Sequence, residues 1–181
     1  PGDRVHCLGP LGRPFSQVAP PAEAWLVAGG VGLAPFATLA QALRRHKTDV
    51  TLYYGARRSS ELFFLDHFER LGVRLVLATE DGSRGERGRV TVPLERDLRS
   101  RAPAADLTVY ACGPEAMLAA VAKLAGAHGR PSQVSVERVM GCGLGGCYSC
   151  VIPVRAAGRA PHFVRSCIAG PVFRGDEIEW E

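Results

Sequence analysis

The sequence predicts an α/β fold: a doubly wound, five-stranded parallel sheet followed by a small C-terminal module. Three observations lead there. Short β-rich apolar runs alternate with helix-period segments as far as Glu137, and such alternation builds a parallel sheet with helices on both faces. The connections are short, and right-handed crossovers then favour the strand order 3-2-1-4-5. After Glu137 the helical period stops, and cysteines and glycines replace it.

In chain order, Trp25–Ala28 reads as the first strand, followed by a Gly-rich turn and a helix over 35–45. Asp49–Tyr54 is the next strand. Ser60–Leu71 reads as a helix, with apolar residues at positions 62, 63, 65 and 68. Val73–Thr79 is the third strand, and the polar stretch from Glu80 to Arg89 a loop. A short helix over 92–100 leads to the fourth strand, Leu107–Cys112. Pro114–Ala127 is a helix and Gln133–Val136 the fifth strand. Beyond it, only Cys150–Val154 and His162–Val164 have β character. That module lacks the apolar length for its own core and is expected to need a bound group to fold.

The chain has 181 residues, 46% of them hydrophobic and 22% charged, the composition of an ordinary soluble protein. Its net charge of +4 is spread over mixed-sign surface, which argues against a nucleic-acid footprint. No run is long and apolar enough for a transmembrane helix, and the start carries neither a signal nor a transit pattern. A cytoplasmic location is therefore expected. The opening Pro1-Gly2-Asp3-Arg4-Val5 reads as the tail of a preceding folded region.

Six cysteines could form three disulfides, but without a secretion signal, and with three crowded into nine residues, metal or redox chemistry is favoured. The spacing Cys142-x4-Cys147-x2-Cys150, with Cys167 downstream, is the plant-ferredoxin pattern for a [2Fe–2S] cluster. Four thiolates hold two irons, and backbone N–H groups must approach the sulfurs. Gly141, Gly143, Gly145 and Gly146 leave room for that approach. Tyr148 and Ser149 are placed to shield the cluster or donate a hydrogen bond to it. A zinc site remains the competing reading, though structural zinc favours two separated C-x2-C-type pairs. Cys7 is expected in a strand with no role. The histidines at 6, 46, 67, 128 and 162 form no metal or base constellation.

Two turns suit a nucleotide. The first strand runs into Gly29-Gly30-Val31-Gly32-Leu33-Ala34-Pro35, where glycines admit a pyrophosphate and the following helix offers N-terminal amides. Pro35 suits the first helical turn. The other turn, Cys112-Gly113-Pro114, ends the fourth strand at the switch-point crevice. Both have a bland alternative, since glycines in strand–helix turns are often only steric.

Gly30-Val31-Gly32-Leu33-Ala34-Pro35-Phe36 and Cys112-Gly113-Pro114 together resemble the pyridine-nucleotide domain of the ferredoxin–NADP reductase superfamily. Gly9-Pro10-Leu11-Gly12-Arg13-Pro14-Phe15 looks like the closing segment of that superfamily's FAD-binding barrel, and Gly12 is carried over from it as a cofactor contact. The segments Glu137–Cys150 and Ser166-Cys167-Ile168-Ala169-Gly170-Pro171-Val172-Phe173 resemble the electron-transfer subunits of heteromeric dihydroorotate dehydrogenases. Ala169 departs from the Asp expected there. The resemblance implies three regions: a barrel remnant over 1–20, an NAD-binding domain over 21–137 and a [2Fe–2S] module over 138–181.

It further implies FAD in the full-length protein and an FMN-containing catalytic partner in a two-plus-two assembly. Electrons would run from dihydroorotate through FMN, cluster and FAD to NAD⁺. Cys112 becomes a nicotinamide neighbour in a positioning or hydride-transfer role, and this chain alone is expected to hold the cluster but bind FAD poorly. Where NADP-using relatives carry a Ser-Arg pair, this chain has Glu80-Asp81. Acids there repel a 2′-phosphate and can bond ribose hydroxyls, which favours NAD; Arg57 and Arg58 argue mildly the other way. The alternatives are a reductase subunit of another flavin–cluster system (bifurcating, sulfite or hydrogenase), or a cluster-binding redox sensor without turnover.

Overall fold

Trp25 to Ala28 form the centre of strand β1 (Glu23–Gly29) in a computed structural model that describes residues 2–16, 20–102, 105–155 and 160–180. β1 is apolar and buried from Ala24 to Ala28 because it is covered on both faces. Ala24, Leu26 and Ala28 point into one core layer, and Trp25 and Val27 into the other. Helix α1 (Ala34–Arg45) follows, and β2 (Asp49–Ala56) pairs parallel to β1. Helix α2 (Leu65–Arg70), β3 (Arg74–Thr79), the two-residue β4 (Glu86–Arg87) and α3 (Thr91–Ser100) come next. β5 (Leu107–Cys112) returns to the other side of β1, and α4 (Glu115–Ala127) leads to β6 (Ser132–Ser135).

The five expected strands stand in the expected order, and two short ones extend the sheet. β4 adds a parallel edge beside β3 through Ala78 and Thr79. At the far edge β9 (Val172–Arg174) pairs antiparallel with β6. The full order is β4-β3-β2-β1-β5-β6-β9. The C-terminal module also contributes a hairpin of β7 (Val151–Val154) and β8 (His162–Arg165), and the single turn α5 (Ser166–Ala169).

The module does not stand apart. Ile152, Val154, Phe173 and Ile178 join the core layer formed by Leu94 and Leu98 of α3 and Leu118 and Val121 of α4. The opposite layer packs α1 and α2 through Phe36, Leu39, Leu43, Leu65 and Phe68. The apolar length that the module lacks is supplied by the sheet edge and α4.

Three local expectations need correction. The helix expected over Ser60–Leu71 is a 3₁₀ turn (Ser59–Glu61) and then α2, separated by Phe64 at φ 58°. The Tyr54 hydroxyl holds the break by donating to Glu61 O (3.1 Å) and accepting from Phe63 N (3.4 Å). A 3₁₀ turn, Gly30–Leu33, precedes α1, so the glycine turn does not enter the helix directly. Cys7 lies in no strand; residues 2–14 are exposed, and the chain becomes buried only at Phe15, against Phe36 and Tyr110. Among the described residues no helix is long and apolar enough to cross a membrane.

Candidate iron–sulfur and nucleotide sites

The cluster loop, 139–150, is shaped by its own backbone donors. Cys142 Sγ accepts from Leu144 N (3.3 Å) and Gly146 N (3.2 Å). Ser149 Oγ lies 3.1 Å from Cys147 Sγ, accepts from Gly141 N (3.0 Å) and reaches Val139 O at 3.2 Å. Arg165 braces the loop from β8. Its Nη1 donates to Gly145 O (2.7 Å), and its guanidinium lies 4.8 Å from the Tyr148 ring centre. Gly145 has φ +82°, a left-handed backbone that favours glycine, and a Cβ there would lie 2.2 Å from Ile168 Cδ1.

Cys142 and Cys147 are exposed, while Cys150 and Cys167 are buried. The thiols interact in two pairs, Cys142 with Cys147 and Cys150 with Cys167. Among the described residues no three ligating side chains gather round a single point. The Ser149 hydroxyl, helped by Cys142, brings the Cys147 thiol down to about 6. Cys167, chiefly through its backbone, lowers the Cys150 thiol, and the neighbouring Cys150 side chain raises that of Cys167. These residues fit a [2Fe–2S] cluster. Each iron takes two thiolates, which the two pairs supply, and the backbone comes close to the sulfurs at Gly141, where a Cβ would lie 2.8 Å from Cys147 Sγ.

A cavity of about 470 Å³ opens at the C-terminal ends of β1 and β2, facing the first turns of α3 and α4. That is the switch-point crevice, where strand order reverses about β1. Gly30, Glu80 and Pro114 line it, together with Arg57, Glu61 and Arg89. Glu61 holds both arginines after β2, at 3.5 Å from Arg57 Nε and 3.3 Å from Arg58 Nε.

The expected nucleotide residues divide into two groups. Gly30, Glu80 and Pro114 face the cavity, whereas Gly32 and Leu33 are buried beneath the turn. Val31 is exposed and Ala34 and Pro35 open α1, without lining the cavity. Gly113, at φ +152°, lets the two turns pack closely, since a Cβ there would lie 3.0 Å from Gly29 N. Asp81 faces its own loop, accepting from Ser83 N (2.9 Å) and Ser83 Oγ (2.6 Å). Cys112 is half-buried, and burial pushes its thiol up, so it stays protonated near neutral pH. Gly12 lies against the Gly170 carbonyl, at the C-terminal module. The sequence reading missed Glu61 and Arg89 as cavity residues. Gly88, at φ +124°, marks the turn that delivers Arg89, but an arginine in a polar loop carries no signal of its own.

Residues 26–123 match the oxidoreductase NAD-binding domain family. Residues 137–179 match the iron–sulfur cluster binding domain of dihydroorotate dehydrogenase B. The dihydroorotate dehydrogenase B (NAD(+)) electron transfer subunit of Desulforamulus reducens is 37% identical over 181 residues, covering 100% of this chain and 68% of its own length. The probable counterpart in Methanopyrus kandleri is 41% identical over 179 residues, covering 99% of this chain and 63% of its own. This chain thus spans about two thirds of such relatives. A solved structure of an NADH-dependent reduced ferredoxin–NADP oxidoreductase, studied for flavin-based bifurcation, superposes with a TM-score of 0.78 at 31% identity. That match covers 96% of this chain and 59% of the other.

Proposed function

The chain belongs to the family of dihydroorotate dehydrogenase B electron-transfer subunits, and from that premise we propose that it carries electrons from dihydroorotate oxidation to NAD⁺ in pyrimidine synthesis. The observation that carries this reading is one fold holding both ends of the route: four cysteines in the loop before β7 and in α5 of the module that β9 joins to the sheet, and a nucleotide cavity at the switch point. Cys142, Cys147, Cys150 and Cys167 hold the cluster. A [2Fe–2S] cluster supplies single-electron transfer, and FAD in the full-length protein converts single electrons to the hydride of nicotinamide.

This chain's residues bind and orient. Gly30 and Pro114 admit the nucleotide backbone, and Glu80 at the cavity wall accepts from ribose hydroxyls and disfavours a 2′-phosphate. Cys112, protonated at the end of β5, is a positioning neighbour of the nicotinamide rather than a nucleophile. The electron donor is an FMN-containing dihydroorotate dehydrogenase catalytic subunit in the cytoplasm, in a two-plus-two assembly. Val139, Met140, Leu144, Tyr148 and Ile168, all exposed around the cluster loop, form the apolar face on which that partner docks.

The test is reconstitution. The full-length, cluster-loaded protein mixed with the catalytic subunit is expected to reduce NAD⁺ with dihydroorotate, at higher kcat/KM than NADP⁺. No NADH formation from a stable complex would reject the electron route, and a preference for NADP⁺ would reject the role of Glu80. The likeness to the bifurcating oxidoreductase favours a second reading, a reductase subunit that exchanges electrons with ferredoxin. Affinity purification that recovers a ferredoxin-reducing flavoprotein in place of a dihydroorotate-oxidising one would select it.

A further inference from the structure

One polar group beside the cysteines has no work in the fold. Ser166 is 0% exposed, and its Oγ has no hydrogen-bond partner among the described residues. Buried hydroxyls in native structures nearly always find an acceptor, so an orphan calls for an explanation.

Its position supplies one. The β7–β8 ladder pairs Val151 with Arg165, and Ser166 N donates to Cys150 O at 3.0 Å. Ser166 therefore stands directly opposite Cys150, one rung beyond the hairpin. Opposed residues of an antiparallel pair project to the same face, with Cβ atoms about 4.5–5.5 Å apart. The hydroxyl and the Cys150 sulfur share that face.

Ser149 makes the contrast. Its single proton has two acceptors within reach, Cys147 Sγ at 3.1 Å and Val139 O at 3.2 Å. The Ser166 proton has no such competitor among the described residues.

Resting on the [2Fe–2S] reading above, we propose that Ser166 donates its hydroxyl proton to the Cys150 thiolate of the loaded protein and thereby raises the cluster's reduction potential. An added electron places more negative charge on the sulfurs, so a donor favours the reduced form. Cys150 is 3% exposed and Ser166 fully buried, and away from water that bond is weakly screened.

The experiment is an EPR-monitored redox titration of the full-length, cluster-loaded protein and its Ser166→Ala, Ser166→Thr and Ser149→Ala variants. Ser166→Ala is expected to disfavour reduction about tenfold, which is about 59 mV for a one-electron couple. Ser166→Thr keeps the donor and the wild-type midpoint, and Ser149→Ala shifts it less than Ser166→Ala. An unshifted midpoint in loaded Ser166→Ala, or equal shifts in Ala and Thr, would overturn the proposal. If Ser166→Ala does not load, a loaded Thr variant at the wild-type midpoint supports the donor. Failure of both variants to load makes Ser166 a packing residue and overturns the proposal. A wild-type protein without a reduced-state EPR signal would instead reject the cluster reading.

Discussion

A Cβ at Gly32 would lie 2.1 Å from the Cys112 carbonyl oxygen and 2.7 Å from Gly113 N. No side chain survives at that distance, so this glycine lets the β1 turn nest under the β5 turn. Gly30, two residues earlier at φ +54°, has nothing within 4 Å of where a Cβ would stand and faces the cavity. Gly32→Ala is therefore expected to destabilise the fold by about 1–3 kcal/mol through overpacking, read as a lower urea midpoint with or without nucleotide. Gly145→Ala combines a left-handed backbone with the Ile168 clash and is expected to lower cluster content, measured as iron per chain, while leaving nucleotide binding in place. The glycine run was legible from residue order. Which glycine faces ligand and which faces backbone was not, because that depends on two turns some eighty residues apart in the chain meeting in space.

The element that decides the architecture is β9. It carries Phe173, 8% exposed, from the C-terminal module into the sheet's core, and three residue pairs tie it to β6. Phe173→Ala is expected to cost about 3–5 kcal/mol and to loosen the module before the sheet, seen as faster hydrogen exchange in β7 and β8. A second tie is the bidentate pair of Arg138 and Glu115, with Arg138 Nη2 2.8 Å from Glu115 Oε1. It joins the segment before the cluster loop to the first turn of α4. Arg138 holds the Glu115 carboxyl below its ordinary value. A carboxylate with a depressed folded-state value stabilises the fold above its unfolded value, and the contribution disappears as pH falls through the folded one. The clasp is thus complete at neutral pH and opens in the acid range below the usual carboxylate value. With both side chains partly exposed, it contributes no more than about 1 kcal/mol. Glu115→Gln should flatten that acid limb of a stability–pH curve and leave the neutral region little changed.

Across the whole molecule the two sites lie on different parts of one structure. The cavity uses the C-terminal ends of the central strands, and the cysteines sit where the module closes the β6 edge. Around the cluster loop lies the exposed apolar set at 139, 140, 144, 148 and 168. On the proposed docking, Leu144→Asp is expected to weaken association with the catalytic subunit by tenfold or more, with unchanged iron content and unchanged NAD affinity. Titration calorimetry or sedimentation would read it. Unaltered association would remove this face from the interface.

Much of this was determined by the sequence alone. The five-strand order follows from alternating apolar periods and short connections, both local properties. The cluster type follows from cysteine spacing, because a loop of fixed length can wrap only certain metal groups. Tertiary structure alone decided the rest. It joined the module to the sheet through β9, a three-residue strand too short to show a period. It broke the expected helix at Phe64, where the Tyr54 hydroxyl at the end of β2 takes the Glu61 carbonyl and Phe63 amide. It turned Asp81 into its own loop, brought Arg89 to the cavity and set Ser166 opposite Cys150. Each of these is a pairing between residues remote in sequence or a side-chain direction, and neither is written in the order of the amino acids.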